Sequence, residues 1–215
     1  MNGKKLKGIG YNKNGKKILQ LNGEKRKEYY NNGKLKFEGI YRYGKIWNGK
    51  YYNIKGNIDS EIRNGTGKVK QYNDYGKLIF EDEYFYGEKN GKCKEYYDDG
   101  KLKFEGEYAY GKRHRKGKEF FYNGQLIFEG EYLNGIRNGK CKEYSYYDGK
   151  LIFEGEYLKG KRNGKCKEYN YYGLVFEGEY LNGERWNGQC KQYNYNGKLI
   201  FEGEYIKGKR NGIWK

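Results

Sequence analysis

Few residues in this chain could carry out covalent or proton-transfer chemistry. It has one histidine, His114, two serines, Ser60 and Ser145, and one threonine, Thr66. A hydrolytic triad needs a nucleophile, a base and a group that orients the base. His114 lies in Lys112-Arg113-His114-Arg115-Lys116, a basic stretch without a carboxylate to orient it, and reads as a solvated loop residue. Paired carboxylates such as Glu129 and Glu131 recur along the chain. General acid–base catalysis requires two carboxyls in different environments. A ladder of equivalent glutamates lacks that asymmetry and is expected to pair with lysines on neighbouring strands.

The four cysteines, Cys93, Cys141, Cys166 and Cys190, are 48, 25 and 24 residues apart and form no Cys-x-x-Cys pair. Zinc sites favour such close pairs. The spacings instead mark one position in successive repeats, and equivalent strands of adjacent hairpins lie about 9–10 Å apart. That is beyond the roughly 7 Å a disulfide tolerates, so free thiols serving as small packing residues are expected. Gly65-Thr66-Gly67-Lys68 echoes a phosphate loop but lacks its spacing and its strand-to-helix setting. No catalytic residue, metal ligand or cofactor site is assigned, and the chain is expected not to be an enzyme.

A binding role has more support. Lys112, Arg113, Arg115, Arg137, Lys161, Arg162, Arg185, Lys209 and Arg210 fall in what read as the long turns of successive units. Stacked in register, they would line one edge as a basic ridge, able to attract anionic lipid or phosphate at roughly 1 kcal/mol per residue. Trp47 and Trp186 sit in the same segments, where an aromatic side chain suits a lipid interface or a protein partner. Exposed turns are also charged for solubility alone, and lysine protects sheet edges.

The elements that position these residues are set by an internal repeat. Phe-Glu-Gly-Glu-Tyr starts at Phe104, Phe128, Phe153, Phe176 and Phe201, with variants at Phe37 and Phe80. From Phe80 onward the spacings are 24, 24, 25, 23 and 25 residues. Leu151, Phe153, Gly155 and Tyr157 alternate with Ile152, Glu154 and Glu156, the period of a strand. Asn134-Gly135 and Asn182-Gly183 mark one turn, and Asp99-Gly100, Asp148-Gly149 and Asn196-Gly197 the other. These pairs tolerate the positive φ that tight hairpin turns demand. The glycine after Phe-Glu is expected to leave room for a neighbouring Tyr or Phe to lie across the backbone. Trp47 and Trp186 are one-residue insertions, expected to be absorbed by loops while strands keep register.

Composition agrees with a thin sheet. Hydrophobic residues make up 35% and charged residues 34%, the formal charge is +17, and 28 Tyr, 10 Phe and 3 Trp separate the chain from disordered polyelectrolytes. Residues 77–215 form regular units of 23–25 residues, while residues 1–76 hold irregular ones, including a unit near Ile58–Gly65 shortened in its first turn. The chain is expected to be all-β, an elongated, twisted array of about nine tandem hairpins roughly 85 Å long, with no separate globular domain. Trp214 is placed to cap the last hairpin. No signal peptide or membrane-spanning stretch is apparent, which points to the cytoplasm, with any membrane contact peripheral.

The string Glu-Gly-Glu-Tyr-Leu-Asn-Gly, followed by Arg-Asn-Gly-Lys and closing at Asp-Gly, resembles the MORN repeat. The leading Gly-Lys-Leu-Ile-Phe and trailing Lys-Glu-Tyr-Tyr are most similar to its bacterial antitoxin-like variant. The resemblance covers residues 77–215 well and 5–76 loosely. One departure is that Cys93, Cys141, Cys166 and Cys190 stand where the second strand usually has Gly. The resemblance implies a scaffold or adaptor for protein partners; peripheral binding of anionic phospholipid through the basic ridge is the alternative, and an antitoxin-like or immunity role, suggested by the repeat variant, is a third. Nucleic acid is the weaker partner, because no recognised nucleic-acid motif accompanies the charge. Homo-oligomers through sheet edges remain open.

Overall fold

A computed structural model describes residues 7–215. Its first strands are β1 (Lys7–Tyr11), β2 (Lys17–Asn22), β3 (Lys25–Tyr29), β4 (Leu35–Arg42), β5 (Lys45–Tyr52), β6 (Ile58–Ile62), β7 (Gly67–Tyr72), β8 (Leu78–Phe85), β9 (Glu88–Tyr96) and β10 (Leu102–Ala109). They are followed by β11 (Lys112–Phe120), β12 (Leu126–Leu133), β13 (Ile136–Tyr144), β14 (Leu151–Leu158), β15 (Lys161–Asn170), β16 (Gly173–Leu181), β17 (Glu184–Tyr193), β18 (Leu199–Ile206) and β19 (Lys209–Trp214). There is no helix among the described residues. All pairing is antiparallel, in a six-stranded and a thirteen-stranded sheet whose strand order follows chain order. By contact density the chain divides into one unit ending at Lys112 and another spanning Arg113–Lys215.

Two kinds of turn join the strands. One is a two-residue turn with both central φ positive, as in Asn134 (53°) and Gly135 (88°), the geometry that matches strand twist. The other is built by an asparagine: the Asn53 side chain accepts from Lys55 N and Asn57 N at 3.0 and 3.1 Å. Asn12, Asn73 and Asn194 do the same.

The tightness of the first turn corrects the reading of the cationic segment. Lys159 and Gly160 alone make the turn after β14, so Lys161, Arg162 and Asn163 already belong to β15. Arg137, Arg185 and Arg210 likewise lie in strands, as does His114, which sits half-buried in β11 rather than in a loop. A bulge takes up the surplus residues. Its register shift falls between Gly130 and Tyr132 in one hairpin and between Glu154 and Glu156 in the next. The two insertions are absorbed there too. Tyr180 faces Arg185 while Glu179 faces Asn187, leaving Trp186 as the bulged residue, and Trp47 occupies the same place in β5. Bulges accept an extra residue within a ladder at the cost of local pairing.

In the second unit the core is a single file of phenylalanines. Phe128, Phe153, Phe176 and Phe201 are at most 2% exposed, though no second layer packs on them. Each ring brings its Cζ edge over the glycine two residues on. A Cβ at Gly155 would sit 2.8 Å from Phe153 Cζ and 2.7 Å from Cys166 Cβ. The cysteines fill the cross-strand position opposite that glycine, as Cys141 does for both Gly130 and Gly155. All four are buried and free. Burial pushes the Cys141 and Cys166 thiols up to about 12, so they stay protonated near neutrality.

The first unit holds a more conventional apolar cluster of Phe37, Ile46, Tyr51, Ile62 and Val69, with Tyr41 and Tyr84 against it. It gathers where β6 passes to β7 through Asn64-Gly65, a two-residue turn like the others that is bridged by Arg63 and Thr66, so the expected shortening falls in the flanking strands of five and six residues and not in the turn.

Candidate functional site

Of the arginines read from sequence as an exposed ridge, Arg137, Arg162 and Arg185 are half-buried over the phenylalanine file instead, whereas Arg210 covers Phe201 but stays exposed. The Arg137 guanidinium lies 3.8 Å from the Phe128 ring centroid, Arg162 lies 4.0 Å from Phe153, and Arg185 lies 4.9 Å from Phe176. Each then reaches a glutamate of the preceding hairpin. Arg162 donates from Nε and Nη2 to the two carboxylate oxygens of Glu143 at 3.1 and 3.0 Å. Arg185 does the same to Glu168 at 2.9 and 2.8 Å. Glu119 receives both Arg137 (2.7 Å) and Arg113 (3.2 Å). A tyrosine hydroxyl completes each clamp: Tyr132 donates to Glu119, Tyr157 to Glu143 and Tyr180 to Glu168. The guanidinium fork thus ties successive hairpins through bidentate, charge-assisted bonds stacked on an aromatic face.

Burial alone would raise the Glu119 and Glu168 carboxyls. The hydrogen bonds from their Tyr and Arg partners outweigh it and hold both below the ordinary carboxylate value. Burial also raises the Tyr180 hydroxyl, helped by the carboxylate it faces, up to about 12.

Two hairpins depart from the clamp because glutamine replaces glutamate. Gln71 faces Phe80, and Gln192 faces Phe201, in the register that sets Glu168 opposite Phe176. In the first case the chain supplies its own substitute. Asp82 stands where other units have the glycine, is fully buried, and meets Lys89 Nζ at 2.7 Å, although neither oxygen has a well-directed hydrogen bond. Lys89 covers Phe80 at 4.1 Å. Burial raises the Asp82 carboxyl, and the Lys89 charge only partly offsets it. In the second case Gly203 is retained, and Arg210 Nη2 donates to Gln192 Oε1 at 2.8 Å while covering Phe201 at 3.6 Å.

Of the remaining candidates, Lys112, Lys161 and Lys209 begin their strands exposed, Arg115 is exposed within β11, and Trp47 and Trp186 are half-buried. Arg42 lies 5.2 Å from the Trp47 ring. Trp214 is 65% exposed, with its ring 5.2 Å from Phe201. Sequence reasoning missed the turn flanks: in the second unit Leu133, Ile136, Leu158, Leu181 and Ile206 are 42–51% exposed. The opposite sheet face carries cross-strand pairs such as Lys167–Glu177 at 3.1 Å and Lys142–Glu154 at 3.6 Å. Glu129 accepts from the Tyr144 hydroxyl at 2.6 Å.

Comparison with known families agrees with this repeat geometry. The MORN repeat matches residues 104–126, 128–149 and 153–170, and the MORN repeat variant matches 25–43, 89–110 and 186–207. Together the matches span more than half of the chain. The chain belongs to the MORN repeat family. MORN repeats are commonly involved in protein or membrane-lipid interaction and are generally non-enzymatic. No curated protein matches this MORN chain. Among solved structures it is similar to TcdB2-TccC3 without its hypervariable C-terminal region, at 11% identity and a TM-score of 0.20 over 94% of this chain and 15% of that one. The Tc holotoxin pore of Photorhabdus luminescens gives 12% identity and a TM-score of 0.20 over 95% and 15%. The chain thus spans about 15% of the length of these structures, and at such TM-scores they bear on neither its fold nor its function.

Proposed function

We propose that this MORN repeat protein is a non-catalytic scaffold that holds protein partners along its repeat surface. The observation that carries the reading is the fate of the arginines. Arg113, Arg137, Arg162 and Arg185 are bound to carboxylates of their own fold, so they do not form a free cationic edge. What the second unit exposes is mixed: tyrosines such as Tyr147 (81%) and Tyr195 (87%), aliphatic turn flanks, and interspersed Lys and Glu. Mixed surfaces with prominent tyrosine suit protein recognition.

A second reading, a peripheral binder of anionic lipid, is favoured by one feature. Leu158, Lys159 and Lys161, like Ile206, Lys207 and Lys209, place aliphatic side chains beside lysines at exposed turns and the strand ends that flank them, a combination suited to the headgroup region. Co-sedimentation with phosphatidylcholine and phosphatidylserine vesicles at physiological salt separates the two. The scaffold reading expects the protein to stay in the supernatant. Pelleting that needs phosphatidylserine, and is lost when Lys159, Lys161, Lys207 and Lys209 are changed to Glu, would put the lipid reading in its place. Arginine-to-glutamate variants are unsuitable because they break the clamps.

A further inference from the structure

The last clamp lacks the group that the others are built around. Glu119, Glu143 and Glu168 each bring a carboxylate to a guanidinium and a phenol hydroxyl. At the equivalent register position Gln192 offers Arg210 one neutral amide oxygen, at 2.8 Å. Tyr205, the counterpart of Tyr132, Tyr157 and Tyr180, makes no hydrogen bond through its hydroxyl with any described residue. A carboxylate accepts about four hydrogen bonds where an amide oxygen accepts two, and its charge strengthens each of them. One strong donor, Arg210, therefore meets a weak acceptor, and a second, the Tyr205 hydroxyl, meets none among the described residues. Both line an open cavity of about 210 Å³, together with Arg185, Gln192 and Tyr193. Where Gln71 makes the same replacement, the chain supplies a carboxylate of its own, Asp82, to the cation at that clamp. Beside Gln192 it keeps Gly203, and no acidic residue lines the cavity.

We propose that Arg210, Tyr205 and Gln192 form a recognition site for one carboxylate supplied from outside the chain, an aspartate or glutamate side chain of a protein partner. The site deepens the scaffold reading and rests on it. A fork and phenol at the register positions of the sibling clamps suit a planar carboxylate better than a tetrahedral phosphate. One such contact on an open site is weak, so the remaining affinity must come from a polypeptide lying along the neighbouring hairpins.

The test is a titration of the full chain with acetylated, amidated tetraglutamate at physiological salt, read by tryptophan fluorescence. Trp214 reports because its ring lies 4.9 Å from the Arg210 guanidinium. Saturable binding is expected, with tetraglutamine and inorganic phosphate inert at the same concentrations. Gln192→Glu fills the site from within, and Arg210→Gln removes the fork. Each should weaken tetraglutamate by about tenfold or more. Gln189→Glu, the same charge change on the opposite face of β17, should leave binding within about twofold. Gln192→Glu should also raise the melting temperature, because Arg210 and Tyr205 gain the partner their counterparts have. Several results would overturn the site: no binding by wild type, equal binding by tetraglutamine or phosphate, loss in Gln189→Glu as large as in Gln192→Glu, or a lower melting temperature in Gln192→Glu. The vesicle assay probes the turn lysines and this titration probes the cavity. A failed titration without vesicle binding removes the site and leaves the scaffold, whereas vesicle binding removes the scaffold whatever the peptide does.

Discussion

Gly155 shows how the sheet can bury its phenylalanines without a second layer. A methyl there would meet Phe153 Cζ at 2.8 Å, Cys166 Cβ at 2.7 Å and the Lys165 carbonyl at 3.1 Å, so the ring tip could no longer approach the backbone. Gly155→Ala is expected to cost about 2–3 kcal/mol, as overpacking in a tight core does, measured as a lower urea midpoint. Gly8→Ala, where nothing lies within 4 Å, should stay within about 0.5 kcal/mol of wild type. The cysteines opposite these glycines should be inert at neutral pH, being buried and protonated. Native protein should react with a disulfide dye far more slowly than protein in guanidinium, which should titrate four thiols. Rapid labelling of the native protein would contradict the packing role.

Between elements, the clamps decide how the array responds to acid. Glu119 and Glu168 have native carboxyl values below the ordinary one. Their contribution is therefore fully present above the unfolded value of about 4.3 and is lost as pH falls through the lower native value. The melting temperature should drop through that window, and less steeply in Glu168→Gln. Asp82 has the opposite sign. Its carboxyl is raised by burial, so ionising it costs stability as pH rises from the unfolded value through the native one. Lys89 is the cation that limits this cost. Lys89→Met should lose about 3 kcal/mol near neutrality, the scale for an uncompensated buried charge, and recover part of it at pH 4. A loss independent of pH would mean that Lys89 acts by packing on Phe80 alone.

For the whole molecule, nearest-neighbour clamps imply stability that is local along the chain. Tyr205 packs on Phe176 at 5.8 Å, so removing residues 194–215 should weaken β16 and β17 and spare earlier hairpins. Hydrogen exchange should show faster amides in β16 and β17 and unchanged protection in β12 to β14. Loss of protection throughout the second unit would show a cooperative domain instead. Unfolding of the full chain is expected to be broader than a two-state transition, with probes in the two units departing from one another.

The hairpins were legible in the sequence because their determinants are local. Alternation over Leu151–Tyr157 sets the strand face, Asn-Gly and Asp-Gly supply positive φ, and a 23–25-residue period repeats both. The packing glycines and the free cysteines could be read for the same reason, since a fixed place in each repeat implies a fixed place in the sheet. The fate of the arginines could not. Lys159–Gly164 has the composition of an exposed turn, and Arg162 belongs to a strand only because Glu143 and the Phe153 ring, 19 and 9 positions away in the chain, are carried beside it. Local sequence sets which backbone angles are cheap, whereas pairing between hairpins sets which charges are desolvated together. The role of Gln192 emerges only at that second level, because a glutamine in a polar strand signals nothing until the register places Arg210 and Tyr205 around it.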